Sequence, residues 1–312
     1  MARCEPITMN KLLIQNTDIS VSPFCLGTMT FGRPVAERDA LELVHFALAQ
    51  GINFFDTADM YEGYDRRAGS AGGVAETILG KALRGRRDQA IITTKVGNAV
   101  GDGQYEGSGL SRQHITRQIE TSLQRLQTEY VDFYLLHRPD PLTPLAESIE
   151  TLVKLIDVGK VRHWGFSNFS AEQVKSMITI CDTNNWPRPV ISQPPYSWLK
   201  RDIAEKHLPL CKQFNIAVTP YQPLQGGLLT GKYHADQPLP ASTRITDGSG
   251  WLVKPDESLW RRLTQFEQEA DLHNLTPTQY ACDWLLAQEQ ISSVVVGVKR
   301  RQQLAELLRV SK

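Results

Sequence analysis

Short apolar runs alternate with longer stretches of helical periodicity along most of this chain. The runs are rich in Val, Ile and Phe and end at Gly or polar residues, which is typical of buried strands in a parallel sheet. The longer stretches carry apolar residues three and four positions apart, such as Leu41, Val44 and Leu48. The pattern predicts strands at 23–26, 52–55, 90–95, 131–137, 161–167, 189–193, 216–221 and 292–296. It predicts helices at 38–50, 74–83, 111–126, 145–158, 170–181, 204–214, 257–273, 277–288 and 302–308.

Eight strand–helix units in a chain of 312 residues predict an α/β fold, a (β/α)8 TIM barrel. We expect one barrel domain over 1–312, with an N-terminal extension at 1–10, a β-hairpin at 11–22 and a long cofactor or substrate loop at 222–255. The rival fold is a doubly wound open sheet, whose GxGxxG fingerprint after the first strand is absent. The nearest match, Gly107-Ser108-Gly109, lacks the third glycine.

Composition and charge narrow the class of protein without defining its chemistry. Hydrophobic residues make up 41% and charged residues 22%, as in ordinary soluble globular proteins. Lys plus Arg and Asp plus Glu both number 34, so nothing indicates a nucleic-acid or membrane partner. The five cysteines form no CxxC pair, which favours a reducing compartment and argues against a metal site. With no secretory leader and no apolar run of transmembrane length, we expect a cytoplasmic protein.

Four chemically active side chains follow the predicted strands. A barrel places its active site at the carboxyl ends of its strands. Asp56 ends the second strand, with Tyr61 five residues beyond, and Lys95 and His137 end the third and fourth. Taken singly, each has a structural explanation, as a turn cap, a solvated charge or a packing residue. Their convergence on one rim of the barrel indicates catalysis instead.

This set of residues suits the donation of a proton to a carbonyl oxygen. A free tyrosine has a pKa of about 10, which is too high for an efficient acid at neutral pH. A buried ammonium, Lys95, is expected to lower the pKa of Tyr61, and Asp56 is expected to balance that ammonium. His137 would orient the carbonyl oxygen. Because no side chain supplies a hydride, the reaction predicts a redox cofactor.

The sequence resembles the aldo-keto reductase family over these residues. The matching segments are FFDTADMY at 54–61, TTK at 93–95, LLH at 135–137 and GFSNF at 165–169. The segment YQPLQGGLLTGK at 221–232 resembles the cofactor loop of bacterial members. The resemblance implies that Asp56, Tyr61, Lys95 and His137 form the catalytic tetrad of a carbonyl reductase. It also implies NADPH or NADP⁺ as cofactor, with NADH as an alternative.

The resemblance further implies which residues bind the cofactor. Ser167, Asn168 and Gln193 match groups that hold the nicotinamide carboxamide, and Tyr221 matches the aromatic residue stacked on the ring. Lys299 and Arg300 lie where a 2′-phosphate would bind. The full predicted set is Gly27, Thr28, Met29, Asp56, Ser167, Asn168, Gln193, Tyr221, Gln222, Leu224, Gly226, Gly297, Lys299, Arg300 and Gln303.

The chain departs from the family pattern in four places. The stretch after Tyr61 is longer than in many members and carries Arg66 and Arg67. Gln303 and Leu307 replace the arginine and asparagine that many members use for the 2′-phosphate and adenine. Gln222 stands where a serine is common. The sequence ends at 312, where many members continue, so we expect the pocket to be open or capped by a neighbouring subunit of a homo-oligomer.

Polar and aromatic residues in the loops around the predicted acid suggest the substrate class. We expect a sugar-type or small polar carbonyl compound, with an anionic substrate as one form of this hypothesis. The candidate substrate residues are Arg66, Arg67, Arg138 and Trp251. Two alternatives stay open: a barrel lyase or aldolase that forms a Schiff base through Lys95, and a cofactor-sensing regulatory protein on the same fold.

Overall fold

A computed structural model describes residues 9–64, 66, 69–101, 109–241, 243–246, 252 and 254–309. It begins with an antiparallel hairpin of β1 (Leu12–Leu13) and β2 (Ser20–Val21), in which Leu12 lies opposite Val21. Eight parallel strands follow. They are β3 (Phe24–Gly27), β4 (Phe54–Asp56), β5 (Ile91–Val96), β6 (Val131–Leu136), β7 (Val161–Ser167), β8 (Ile191–Gln193), β9 (Ala217–Val218) and β10 (Val294–Val296).

The eight strands form a sheet that closes on itself. Their order is β10-β3-β4-β5-β6-β7-β8-β9, so the two edge strands are the last two in the chain. Val218 pairs with Ile291 in a parallel bridge, and the Ser292 N–H donates to the Val218 carbonyl at 2.9 Å. The Val295 N–H donates to the Pro220 carbonyl, also at 2.9 Å. These bonds join β9 to β10, which confirms the predicted barrel with its N-terminal hairpin.

Helices cover the outside of the barrel. They are α1 (Glu37–Ala49), α2 (Val74–Ala82), α3 (Arg112–Leu126), α4 (Leu145–Asp157), α5 (Ala171–Asn184), α6 (His207–Gln213), α7 (Glu257–Leu272), α8 (Pro277–Leu286) and α9 (Arg301–Leu307). Ser111 and Ser170 begin α3 and α5 as the sequence suggests, since each hydroxyl accepts an N–H from the first turn. Among the described residues, we find no helix with the length and apolar character needed to span a bilayer.

Among the strands that are shorter than the pattern predicts, β8 and β9 are interrupted by proline. β8 begins at Ile191 rather than at 189, because Pro189 has no N–H to give to a ladder. β9 ends at Val218 rather than at 221, because Pro220 interrupts the second half of the predicted strand. The following connection to α7 contains only one short 3-10 helix, Gln225–Thr230, among its described residues.

The hairpin closes the amino end of the barrel. Ile14, Ile19 and Val21 are fully or almost fully buried and belong to the same hydrophobic cluster as the residues of the barrel interior. The Ser22 N–H donates to the Asn53 side chain at 2.8 Å, which ties the hairpin to the start of β4. The amino end is therefore filled with apolar side chains, and the carboxyl end remains for a functional site.

A buried carboxylate organises the charges at the same amino end. Asp132, near the start of β6, accepts from Arg87 at 2.7 Å and from Arg162 at 2.9 Å. Arg162 also contacts Asp18 of the hairpin at 2.8 Å. The guanidinium of Arg87 lies 4.2 Å from the centre of the Tyr130 ring. These contacts join β6, β7 and the turn before β5 to the hairpin, and they lie far from the carboxyl ends of the strands.

Candidate active site

Strand alternation directs two of the predicted catalytic residues into the barrel. Phe54 packs in the barrel interior and Phe55 packs against the helices. Asp56, two residues after Phe54, therefore points inward. Thr94 faces outward, where its hydroxyl donates to a carboxylate of α2. Its neighbour Lys95 consequently points inward, towards Asp56, at the carboxyl ends of the strands, which we call the carboxyl rim.

Lys95 forms a buried ion pair with Asp56. The Lys95 ammonium donates to Asp56 Oδ2 at 2.7 Å and to the Thr57 carbonyl at 2.8 Å. Lys95 is 0% exposed and Asp56 is 3% exposed. A buried charge of this kind is tolerated only when it is paired and its remaining protons are bonded. Two of its three protons have acceptors here, and the third points to the next residue of the site.

Tyr61 lies within reach of that ammonium. Its hydroxyl is 3.3 Å from Lys95 Nζ, and its ring meets the His137 ring edge-on with 5.9 Å between centres. The Tyr61 N–H donates to the Ala58 carbonyl at 3.1 Å, and the Ala75 N–H donates to the Tyr61 carbonyl at 2.9 Å. The second bond ties Tyr61 to the first turn of α2, so its position does not depend on the loop that follows it.

The structure corrects the expected pKa of Tyr61. Burial raises the pKa of Tyr61 above its ordinary value, Lys95 lowers it and Asp56 raises it, and the net change is upward. Lys95 thus has the effect that the sequence predicts, but burial outweighs it. Burial lowers the pKa of Lys95, but Asp56 and Tyr61 together raise it by more than burial lowers it, so the net change is again upward. The resting site therefore holds a neutral phenol beside a charged ammonium.

His137 is held neutral at the same rim. Its backbone N–H donates to the Val96 carbonyl at 2.8 Å, which extends the pairing of β5 with β6. Burial, together with Lys95, Arg138 and Arg66, places the pKa of His137 well below its ordinary value. Its Nδ1 is buried and makes no hydrogen bond with any described residue. A neutral imidazole can donate one N–H to an oxygen atom without giving up a proton.

Gln193 and Ser167 extend the site through the catalytic carboxylate. The Gln193 amide nitrogen donates to Asp56 Oδ1 at 2.7 Å, so both oxygens of Asp56 are bonded. The Ser167 hydroxyl donates to the Gln193 carbonyl at 2.6 Å. The sequence predicts Gln193 as a cofactor contact but does not reveal its bond to Asp56. Because the side-chain nitrogen of Gln193 is bonded to Asp56, its side-chain oxygen is the group that could face a ligand.

Asn168 links Tyr221 to the backbone of His137. The Asn168 amide nitrogen donates to the His137 carbonyl at 2.9 Å, and the Tyr221 hydroxyl donates to the Asn168 amide oxygen at 2.7 Å. Asn168 has a φ of 65°, a left-handed conformation that asparagine adopts more readily than most residues. All four of the predicted nicotinamide contacts are therefore within one hydrogen-bonded network with the tetrad.

The predicted contacts after β3 also adjoin the tetrad. The Thr28 N–H and hydroxyl both bond to the Asp56 carbonyl, at 2.9 and 3.0 Å. Gly27 packs against β10, where an added Cβ would lie 3.0 Å from a side-chain carbon of Val295. Met29 is partly exposed on the rim. Thr28 is therefore bonded directly to a residue of the tetrad.

Gln303 has a structural partner that its sequence position does not reveal. Its amide oxygen accepts the N–H groups of Lys299 at 2.8 Å and Arg300 at 3.1 Å, and so caps α9. Leu307 is buried in the core. A cleft of about 740 Å³ between α1 and α9 is lined by both cations and by no residue of the predicted tetrad. The bonds to Gln303 engage the backbone N–H groups of Lys299 and Arg300 rather than their side chains.

Two cations to which the sequence analysis gives no role, Lys232 and Arg244, lie in the connection after β9. Lys232 Nζ lies so close to Gly227 that a Cβ there would be 2.8 Å away. Burial and nearby Arg244 lower the pKa of Lys232. Gln222 and Gly226 adopt left-handed conformations in the turns that precede this cluster. A lysine directly after the glycine-rich turn was the available signal in the sequence.

The predicted substrate residues divide into two pairs. Arg66 donates to the Ala99 carbonyl and lies 3.9 Å from Glu62, and Arg138 is exposed directly after His137. Both arginines lower the pKa of His137. The other two predicted residues lie outside the described part of the chain; they are Arg67 and Trp251. Among the described residues, no group of three His, Cys, Asp or Glu is placed to hold a metal ion.

The barrel and its rim define an oxidoreductase of the aldo/keto reductase type. This chain belongs to the aldo/keto reductase family, whose model matches residues 23–312. Membership indicates an NAD(P)H-dependent oxidoreductase in general terms.

Individual relatives are similar to the chain over most of its length. A Schizosaccharomyces pombe protein, provisionally named a voltage-gated potassium channel subunit beta, is 35% identical over 92% of this chain and 84% of its own length. Proteins from Arabidopsis thaliana and Oryza sativa subsp. japonica carry the same kind of provisional name and are each 32% identical. They cover 92% and 89% of this chain, and 87% and 83% of their own lengths.

Proposed function

We propose that this protein reduces an aldehyde or ketone to an alcohol, with NADPH as cofactor and Tyr61 as proton donor. One observation carries the proposal: the Lys95 ammonium bonds to the Asp56 carboxylate and lies 3.3 Å from the Tyr61 hydroxyl at the carboxyl rim. That contact lets Lys95 stabilise the phenolate that remains once Tyr61 has released its proton.

The protonation states of the site support this role. The raised pKa of Tyr61 keeps the phenol protonated and ready to donate. The raised pKa of Lys95 keeps the ammonium charged while it does so. Neutral His137 can donate an N–H to the same carbonyl oxygen and orient it towards Tyr61. Asp56 keeps the ammonium in place through its carboxylate.

The residues present fit a nicotinamide dinucleotide. When bound, it would supply the hydride that no side chain can provide. Asn168, Gln193 and Ser167 offer amide and hydroxyl groups for a carboxamide, and Tyr221 offers a ring beside them. The cations Lys232, Arg244, Lys299 and Arg300 suit its phosphates. The two cations after β10 are the reason for proposing NADPH rather than NADH.

We further propose a sugar-type or small polar carbonyl substrate, including anionic ones. Arg66 lies in the connection after β4, and Arg138 directly follows His137. Both arginines lower the pKa of His137. A positive field beside the carbonyl site would favour a substrate with a carboxylate or phosphate. A cytoplasmic location and a homo-oligomer remain predictions.

An assay of purified protein tests the proposal. NADPH absorbance should fall when an aldose or keto-sugar is added, and kcat/KM for that substrate should exceed the value for a plain aromatic aldehyde. Replacing Arg66 and Arg138 by Ala should lower the ratio of the two values. A ratio well below one that neither substitution changes would remove the substrate class and leave the reaction class standing. If NADPH is not oxidised with any carbonyl compound, both the reaction class and the substrate class are wrong.

A regulatory role is the second candidate, because the relatives described above are provisionally named channel subunits. In that role the protein would bind NADPH tightly and turn over slowly. A partner would respond to whether the bound cofactor is reduced or oxidised. Turnover of less than about one per minute with every carbonyl compound, alongside submicromolar NADPH binding, would favour this candidate.

The Schiff-base alternative has less support. A lysine nucleophile must lose its proton, yet Lys95 is held charged by Asp56 and bonded to the Thr57 carbonyl. Trapping with borohydride in the presence of a carbonyl substrate tests this directly, and a covalent adduct at Lys95 would revive it.

A further inference from the structure

A buried carboxyl group, that of Asp59, lies in the turn that leads to the proposed proton donor. The Thr57 N–H donates to the Thr93 carbonyl at 2.8 Å. The Asp59 N–H donates to the Lys95 carbonyl at 3.1 Å, so the chain runs alongside β5 beyond the end of β4. Side chains alternate along such a segment, and Phe55 packs against the helices. Asp59, an even number of positions later, therefore faces the helices as well and not the barrel interior.

Neither oxygen of the Asp59 carboxyl group has a hydrogen-bond partner among the described residues. Asp59 is 0% exposed. The hydroxyl of Tyr134, in β6, is buried in the same layer between strands and helices and also lacks a partner there. An isolated carboxylate is far more costly to bury than a neutral carboxyl group. The surroundings of Asp59 therefore favour the form that keeps its proton.

The guanidinium of this layer is bonded to a different carboxylate. Glu76, in the first turn of α2, is 0% exposed and accepts from the Thr94 hydroxyl at 2.5 Å. It also accepts from Nε of Arg125, in the last turn of α3, at 2.7 Å. Burial, followed by Glu76, raises the pKa of Asp59 well above its ordinary value of 3.8. Arg125 and Arg66 lower that pKa by less, so the net change is upward.

The turn that holds Asp59 also holds Tyr61. The Tyr61 N–H donates to the Ala58 carbonyl at 3.1 Å, so residues 58–61 form one turn. Gly72 packs against the backbone of this turn with a φ of +65°, and a Cβ there would lie 2.4 Å from the Asp59 carbonyl oxygen. Only glycine allows this close approach of the two backbones. A movement of Asp59 would therefore be transmitted to Tyr61 through a tightly packed turn.

We propose that Asp59 is a positioning residue that carries a proton at neutral pH, and that release of this proton to solvent shifts the turn at 58–61 and withdraws Tyr61 from Lys95. This inference rests on the proposed function, in which Tyr61 donates a proton to the substrate. An ionised Asp59 would be a second buried anion beside Glu76 and would have no donor, so its side chain would move towards water. Asp59 acts on the reaction only through the turn.

The pH dependence of turnover tests the role of Asp59 in the full-length protein. We would measure kcat with saturating NADPH and one carbonyl substrate between about pH 6 and pH 10, where Tyr61, with its raised pKa, stays protonated. Wild-type kcat should fall at least about tenfold on the alkaline side as Asp59 ionises. Asp59→Asn has the shape of the neutral acid and no proton to lose. Its kcat near neutral pH should stay within about threefold of wild type, and the alkaline fall should be absent.

Two other variants of the same buried layer serve as controls. Tyr134→Phe removes a buried polar atom whose pKa is raised well above 10, so it changes no ionisation in this range and should keep the wild-type alkaline fall. Glu76→Gln removes the negative charge that opposes ionisation of Asp59. It should move the alkaline fall to lower pH, which is the direction opposite to the effect of Asp59→Asn.

A second readout needs neither cofactor nor substrate. Because the folded pKa of Asp59 is raised, its contribution to stability is fully present below its ordinary value of 3.8 and is lost as the pH rises through the folded pKa. Asp59→Asn has no such loss. In urea unfolding, the ratio of the wild-type unfolding constant to that of Asp59→Asn should therefore rise by up to about tenfold per pH unit above about pH 5.

The outcomes separate the role of Asp59 from the proposed function. The same alkaline fall in wild type and Asp59→Asn, or a ratio of unfolding constants that does not change with pH, would overturn the proposal. An Asp59→Asn variant that fails to fold would also overturn it, since the amide reproduces the neutral acid. If the wild-type protein shows no NADPH-dependent turnover, the proposed function is wrong and the positioning of Tyr61 falls with it, whereas the unfolding ratio still decides whether Asp59 keeps its proton.

Discussion

Replacing Lys95 by Met tests the buried pair at the centre of the site. Met keeps most of the length of the lysine stem but removes the charge, so Asp56 loses its counter-ion and keeps one bond, from Gln193 at 2.7 Å. An uncompensated buried charge costs about 3–5 kcal/mol of stability. We therefore expect Lys95→Met and Asp56→Asn each to lower the free energy of unfolding by about that amount.

The double variant distinguishes a coupled pair from two independent packing residues. With both charges removed, no uncompensated ion remains, and the loss should be about 3 kcal/mol smaller than the sum of the two single losses. Urea unfolding near neutral pH, monitored by tryptophan fluorescence, measures all four members of the cycle. Single losses that add to within about 0.5 kcal/mol in the double variant would refute the coupling.

The same pair has a defined pH dependence. The folded pKa of Lys95 is raised above its ordinary value of 10.5, so its stabilising contribution is fully present below that pH and is lost as the pH rises through the folded pKa. Wild-type stability should therefore decline more steeply above about pH 10.5 than that of Lys95→Met. Turnover should stay low in Lys95→Met and in the double variant at every pH, because neither restores the ammonium beside Tyr61.

Tyr61→Phe should lower kcat about 10²- to 10⁴-fold and leave NADPH affinity within about twofold in a fluorescence titration, and near-normal kcat would remove Tyr61 as the acid. Replacing both Lys299 and Arg300 by Ala should reduce the preference for NADPH over NADH at least about tenfold, whereas equal wild-type affinities for the two would contradict their role. Burial lowers the pKa of His207 from its ordinary value of 6.5 to about 4. Because the folded state disfavours the protonated imidazole, the free energy of unfolding should fall by about 3 kcal/mol as the pH drops from about 6.5 to about 4. His207→Gln should flatten that fall in urea unfolding, and an unchanged slope would contradict it.

Much of the fold is readable from the sequence because its signals are local. An apolar run that stops at Asp56 or His137 marks both the strand and the point where its polar side chain meets the rim. Ser111 and Ser170 mark helix starts because the capping bond is formed within four residues. The ends of β8 and β9 were wrong where prolines inside the predicted runs removed ladder donors.

Features that depend on distance in space are not readable in this way. The net pKa of Tyr61 depends on how deeply the folded chain buries the phenol, and no local pattern encodes that depth. The contact of Gln193 with Asp56 joins residues 137 positions apart. Arg244 donates to the Tyr64 hydroxyl, and this contact depends on where the long connection after β9 returns to the barrel. The sequence identifies such residues by type, but only the fold decides which of them meet.

The hairpin beneath the barrel has a consequence for how the protein can change over generations. Ile14, Ile19 and Val21 fill the end opposite the rim, and Asp132 holds its charged partners there. Variation in the connections after β4 and β9 touches none of those contacts. A library randomised in these connections should yield folded members with altered selectivity, whereas Ile19→Ala should reduce the yield of every member alike. The connections that would set substrate selectivity can therefore vary while the contacts that close the amino end of the barrel stay unchanged.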